Sequence, residues 1–234
     1  MAMQRNITLD FFRTLAISLM VIFHFIYDLK LFAVVDWDIP DGVGWQQFRW
    51  VIITVFFLCL GVSLKFAHSQ TFKPKKYLTR LLQITAAALI ISIGSYVFVP
   101  DNWIFFGVLH FIAFSSIVAI PFLKSPKAAF LCGMSIILVG ALGLVKTRWP
   151  FHILFENLPS YTNDFVGIFP WLGVVLLGIS LGYSKWLISD PLYKLSQTLS
   201  PKVNTLMSWP GQHSLSIYLL HQPVMVGVLY LLVS

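Results

Sequence analysis

Residues 9–32 read LDFFRTLAISLMVIFHFIYDLKLF. A helix that spans a bilayer needs about 20 mostly apolar residues, and this stretch supplies them. Among its ionisable side chains are Asp10, Arg13, His24 and Asp28. Such groups are costly inside a membrane and by default mark function. At about 100° per residue, Asp10 and Asp28 lie five turns apart and point the same way, with Arg13 and His24 within about 60° of that direction. One polar stripe therefore runs the length of the helix. It covers about 27 Å at 1.5 Å per residue, close to the roughly 30 Å of hydrocarbon. A stripe of this kind has to face a bundle interior or a water-filled cavity. Asp10 and Arg13 form an i,i+3 pair near the inner face, and His24 and Asp28 an i,i+4 pair nearer the outer face.

The rest of the chain agrees with a lipid solvent. Of 234 residues, 58% are hydrophobic and only 11% charged, and the mean hydropathy is +0.82. A soluble domain is roughly 45–50% apolar and about 25% charged. So few charges cannot cover a soluble globule, which disfavours a soluble enzyme, a disordered chain and a disulfide-stapled secreted domain. Cys59 and Cys132 both sit in apolar runs and do not suggest a disulfide framework. The net charge of +7 is read as cytoplasmic loops beside acidic lipid rather than as a nucleic-acid surface. The polar start and the long run after it, without a small-residue cleavage site, give no sign of a cleavable signal peptide.

The expected fold is all-α: a polytopic integral membrane protein, a bundle of about seven transmembrane helices forming one domain over residues 1–234. The apolar runs fall at residues 9–32, 45–67, 78–99, 103–123, 127–145, 165–187 and 212–233. Loop charges orient them. Arg5, Lys65, Lys73, Lys75, Lys76, Arg80, Lys124, Lys127, Lys185, Lys194 and Lys202 fall on one side. Asp36, Asp38, Asp41, Asp101, Glu156 and Asp164 fall on the other, with Lys146 and Arg148. Lysine and arginine stay cytoplasmic during insertion, so the amino terminus is expected inside, the carboxyl terminus outside, and the chain in the cell (inner) membrane. Trp37, Trp45, Trp103, Trp149, Trp186 and Trp209 lie near run ends, as an interfacial belt would place them. Two long loops remain, 146–164 outside and 189–211 inside, the second long enough for a short amphipathic helix. Gly178 and Gly182 form a small-xxx-small face for close helix packing.

Two further histidines lie at depth, His110 in the fourth run and His221 in the seventh. With His24 they fall in the outer half or middle of the bilayer, at depths compatible with one shared pocket, although the sequence does not decide whether they share it. Ser214, Tyr218 and His221 follow i, i+4, i+7 spacing on one face, and Pro223 after them is expected to loosen the backbone. A carboxylate beside an imidazole orients the ring and raises its basicity, so Asp28 with His24 suits a general base. His24, Asp28, His110 and His221 are acceptable zinc ligand types, yet no tight motif holds them and no metal is expected. His68, His152 and His213 are read as solvated. The run KPKKYLTR places Lys73, Lys75, Lys76 and Arg80 at the inner face. It is read either as lipid headgroup contact or as a clamp for a cytosolic anionic cofactor such as coenzyme A.

Arg13, ten residues, then His24 resembles the first-helix signature of the membrane-bound acyltransferases that O-acetylate bacterial surface sugars. Phe56-Phe57-Leu58-Cys59-Leu60-Gly61 is similar to that group's FFxxSG element, with Leu60 in place of serine, and Arg80 matches the arginine after it. A closer resemblance is to the bacterial relatives of heparan-α-glucosaminide N-acetyltransferase, in its catalytic membrane domain. It is carried by LDFFRTLAISLMVIFHFIYDL, FGVLHFIAFSSIVAIPFL, FPWLGVVLLGISLG and SLSIYLLHQPV, in that order. The lysosomal enzyme has further helices and a lumenal portion without counterpart here. The resemblance implies transfer of acetyl from cytosolic acetyl-CoA to an amino sugar or other saccharide across the membrane. It assigns His24 as general base or acetyl carrier with Asp28 as its orienting group, and sets Arg13 and Arg80 toward the cofactor. Apart from the resemblance, His221 is a further site candidate, Tyr218 and His110 are candidate hydrogen-bond donors to the thioester oxygen, and Asp10, Lys75 and Lys76 are candidates on the cofactor side. The implied partners are the saccharide acceptor, membrane lipids and, as one arrangement, a second copy in a homodimer. A small-molecule or lipid-linked sugar transporter whose stripe lines a permeation path stays open as the alternative.

Overall fold

The computed structural model describes residues 5–68, 71–154, 158–159, 162 and 164–233. Glu156, counted above among the outer charges, lies outside the described residues. Every regular element among the described residues is helical. In chain order they are α1 (Ile7–Leu31), α2 (Val43–His68), α3 (Pro74–Phe98), α4 (Val108–Val118), α5 (Pro126–Ala141), α6 (Phe151–Leu154), α7 (Trp171–Leu181), α8 (Lys185–Ile188), α9 (Pro191–Thr198), α10 (Pro201–Gln212) and α11 (Ser214–Val233). Single tighter turns lie at Pro100–Asn102 and Ile120–Phe122. Proline opens α3, α5, α9 and α10, where its missing N–H costs no hydrogen bond.

Four helices, α1, α2, α3 and α11, are long and apolar enough to cross a membrane, and α7 with the helices over Lys185–Thr198 makes a fifth if counted as one broken span. The runs at 103–123, 127–145 and 165–187 fold as shorter helices of 11, 16 and 11 residues. The causes are local. Pro121 cannot donate into an α-helical ladder, so α4 stops at Val118 and a tighter turn follows. Before α4 the chain is held in a non-helical path: Ile104 N donates to Ser95 Oγ at 2.9 Å, and Ser92 Oγ donates to Ile104 O at 2.6 Å. Pro170 sits at the start of α7, with residues 165–169 outside any helix. Pro223 does not interrupt α11, which runs through it.

The chain forms two compact units, residues 1–59 with 184–234, and residues 60–183, the division falling inside α2. In the first, α1 packs against α9, α10 and α11. Ile17, Met20, Phe23, Ile39 and Ile52 form its buried core, with Trp45, Phe48, Ile217 and Tyr218 packed on it. Lipid is as apolar as these side chains, so dispersion and polar locks rather than desolvation hold helices together in such a setting. One lock is complete. Asn6 caps α1 by accepting from Leu9 N at 2.8 Å and donates to Leu187 O at 2.8 Å. The Asp190 carboxylate accepts from Ile7 N and Thr8 N, both at 2.8 Å, and from Thr8 Oγ1 at 2.6 Å. An anion is thus seated on the orphan amides at the positive end of the α1 dipole. The stretch expected to hold one amphipathic helix forms two, α9 and α10.

In the second unit, α5 packs on α7 and α3 on α4. The α5–α7 crossing is set by Gly133 and Gly173. A Cβ on Gly133 would stand 2.9 Å from Gly173 O, and one on Gly173 would stand 2.7 Å from Ile137 Cγ1 and 3.1 Å from Ile137 N. The backbones meet where neither residue has a side chain, as small-residue packing requires. The anticipated Gly178/Gly182 face is also used: Gly178 lies against Gly61 of α2, and Gly182 against Lys65.

Candidate active site

The α1 stripe is built from its two ends. Near the amino end, Asp10 is 1% exposed. Arg13 Nη1 donates to Asp10 Oδ1 at 3.1 Å, as the i,i+3 spacing anticipates, and Arg5 forms a second ion pair with the same carboxylate. Gly211 lets α10 close over this pair. A Cβ there would overlap the Asp10 carbonyl and stand 2.9 Å from Arg13 Cβ and Thr14 N. Gly211 N donates to Thr14 Oγ1 at 2.9 Å.

Near the other end, His24 and Asp28 sit one turn apart, but the carboxylate does not orient the imidazole. Asp28 is fully buried, and its Oδ1 accepts from Gln222 Nε2 at 2.6 Å. The His24 ring faces His221 instead, with ring centroids 5.0 Å apart and planes at 63°, and stands edge-on to Phe23. The cause is α11. It brings a strong amide donor to the short carboxylate and an aromatic surface to the imidazole, so each side chain turns across to α11 rather than along α1.

His221 Nδ1 lies 2.8 Å from Tyr218 O. A carbonyl can only accept, so Nδ1 carries the proton and Nε2 of the neutral ring holds a lone pair. Three buried atoms of this cluster, His221 Nε2, Asp28 Oδ2 and Gln222 Oε1, have no hydrogen-bond partner among the described residues. Buried polar groups are paired in the great majority of cases, so three orphans in one place call for an explanation. Tyr218 lies beside them, its ring 5.8 Å from that of His221.

His110 belongs to the second unit, and both its ring nitrogens are engaged there. Gly107 N donates to Nδ1 at 3.3 Å, and Nε2 is 3.0 Å from Ser92 Oγ, which donates onward to Ile104 O. The consistent pattern puts the proton on Nε2 and makes His110 a brace for the start of α4. His24 and His221 are brought together in the first unit. Lys75, Lys76 and Arg80, with Lys73, are exposed on the first turns of α3. Among the histidines read as solvated, His152 is exposed and His213 stacks on Trp209 at 4.5 Å. His68 instead packs against Phe72 and Tyr77, each ring 5.4 Å away. No group of three His, Cys, Asp or Glu side chains among the described residues is arranged to hold a metal ion.

Two residues of this architecture are absent from the sequence reading. Gln222 stands beside His221 in an apolar helix, where a polar amide is itself a signal. Asp190 stands immediately before Pro191, a position that signals a cap of α9, but its carboxylate caps α1 instead, which no local signal shows.

The family model described as heparan-alpha-glucosaminide N-acetyltransferase, catalytic, matches residues 5–223. No curated protein and no solved structure matches the chain. The matched range includes Asp10, Arg13, His24, Asp28, His221 and Gln222. This membrane protein therefore belongs to the heparan-alpha-glucosaminide N-acetyltransferase catalytic family and has that family's acetyltransferase type of function.

Proposed function

We propose that the chain transfers an acetyl group from cytosolic acetyl-CoA to an amino sugar or other saccharide at the extracytoplasmic face, with His24 at the reacting centre. The observation that carries the reading is the polar cluster of His24, Asp28, His221 and Gln222, with three unpartnered acceptor atoms on helices apolar enough to span a bilayer. A transfer site inside a membrane must exclude water yet offer groups that hold and move protons, and this cluster is of that kind. In the direct route His24 takes the proton of the acceptor amine or hydroxyl as its nitrogen or oxygen bonds to the acyl carbon. The carbon–sulfur bond breaks and the thiolate regains a proton. In the two-step route the His24 nitrogen bonds to the acyl carbon as the carbon–sulfur bond breaks and the CoA thiolate takes up a proton. The acceptor nitrogen or oxygen then bonds to that carbon, the bond to His24 breaks, and the acceptor's proton passes to the freed imidazole. His221 and Tyr218 complete the site, while His110 braces the start of α4 in its own unit. Asp28 acts on the acceptor side rather than by orienting the ring.

The same reading places the whole chain in one transmembrane domain of the cell (inner) membrane of a bacterium. It has seven crossings, the shorter helices included, with the amino terminus inside and the carboxyl terminus outside, and it admits a homodimer. Loop charges put Asp10, Arg13, Arg80, Lys75 and Lys76 toward the inner side. Arginine and lysine there suit the phosphates of coenzyme A. The test uses inside-out vesicles carrying the protein, with labelled acetyl-CoA added outside and a panel of sugars and amino sugars sealed within. Labelled acetyl-sugar inside the vesicles is the expected result. Uptake of unmodified sugar without acetyl-CoA consumption would replace the enzyme with a transporter.

A further inference from the structure

The three orphaned atoms at the outer part of α1 share one property. Asp28 Oδ2 is a carboxylate oxygen, Gln222 Oε1 an amide oxygen and His221 Nε2 an imidazole lone pair. All three accept hydrogen bonds and none donates. Each neighbouring atom is already committed: Asp28 Oδ1 to Gln222 Nε2 at 2.6 Å, and His221 Nδ1 to Tyr218 O at 2.8 Å. The Gln222 amide is what creates this polarity. By giving an amide N–H to Asp28, it leaves its own buried carbonyl oxygen unpaired and holds the carboxylate with its second oxygen free. Leaving acceptors buried and unpaired is costly, so a group that brings donors is favoured there.

We propose that Gln222 is a positioning and specificity-determining residue, which with Asp28 and His221 forms an acceptor-only cradle for the donor-bearing nucleophilic group, amine or hydroxyl, of the acceptor beside His24. The cradle rests on the reading of the His24 cluster as the transfer site. It binds the N–H or O–H group before reaction. After reaction that nitrogen or oxygen has exchanged a hydrogen for an acyl group whose carbonyl brings only a further acceptor, so the cradle holds the product less well than the substrate.

The test treats the full chain in nanodiscs with diethyl pyrocarbonate, which modifies unprotonated imidazole nitrogen, and follows His221 by peptide mass spectrometry. Glucosamine and glucose serve as the amine and hydroxyl probes. Wild-type His221 is expected to be shielded by at least one of them, and Gln222→Leu to lose that shielding. In turnover assays Gln222→Leu is expected to raise half-saturation for the acceptor at least about tenfold and leave that for acetyl-CoA unchanged. The swap Asp28→Glu with Gln222→Asn moves one methylene across the contact and is expected to restore shielding, which covers a leucine variant that fails to fold. Shielding by neither sugar in the wild type overturns the cradle, as does equal shielding in Gln222→Leu. Acetyl-CoA binding by the same samples separates the two readings. Retained acetyl-CoA binding without sugar shielding overturns the cradle alone. Gln222-dependent shielding without acetyl-CoA binding supports the cradle and overturns the transferase.

Discussion

His24 and Asp28 illustrate what spacing on one helix does and does not fix. Their i,i+4 register was legible in the sequence, and so was the demand that the stripe face an interior. Their hydrogen bonds were not legible, because these are decided by side chains that α11 delivers nearly 200 positions later. Gln222 takes the carboxylate that spacing had assigned to the imidazole. His24→Ala is expected to lower turnover by about 10²–10⁴, the usual contribution of a positioned base, with acetyl-CoA binding retained in a calorimetric titration. Asp10 answers to a different measurement. It neutralises two arginines from within a buried site. Asp10→Ala is expected to cost about 1–2 kcal/mol, since Arg5 and Arg13 are partly exposed and regain water. A lowered unfolding temperature in detergent would record it.

At the scale of elements, the helices whose ends are written in proline and in long apolar runs were legible, and α1, α2, α3 and α11 stand close to their expected places. The broken ones were not. The runs around α4 and α7 are apolar enough to read as full spans, but hydropathy cannot sense Ser92 and Ser95 holding Ile104 out of a helix. The α1 start shows the same limit, because its cap comes from Asp190. Asp190→Ala leaves two amides without their acceptor and is expected to cost about 1–2 kcal/mol, while Asp190→Asn, which keeps one oxygen acceptor, costs less. Chemical unfolding followed by tryptophan fluorescence would rank the pair. Gly173→Val places a branched side chain against Ile137 and is expected to cost about 1–3 kcal/mol by overpacking, read as loss of the monodisperse peak in size-exclusion chromatography.

At the scale of the whole molecule, composition and loop charge carry the account. An 11% charged chain of net charge +7 suits a lipid solvent, and the proposed topology sets its basic loops inside. Alkaline phosphatase fused after Val233 is expected to be active and green fluorescent protein at the same point dark. The reverse pattern would give an even number of crossings. The central claim, however, is chemical: acetyl transfer through His24 by a member of this family. Purified protein in nanodiscs, given acetyl-CoA and a panel of amino sugars and sugars, is to be followed by thiol release, wild type beside His24→Ala. The account expects thiol release from the wild type that depends on an acceptor and disappears in the variant, with both proteins still binding acetyl-CoA. Equal thiol release from the two proteins would contradict it.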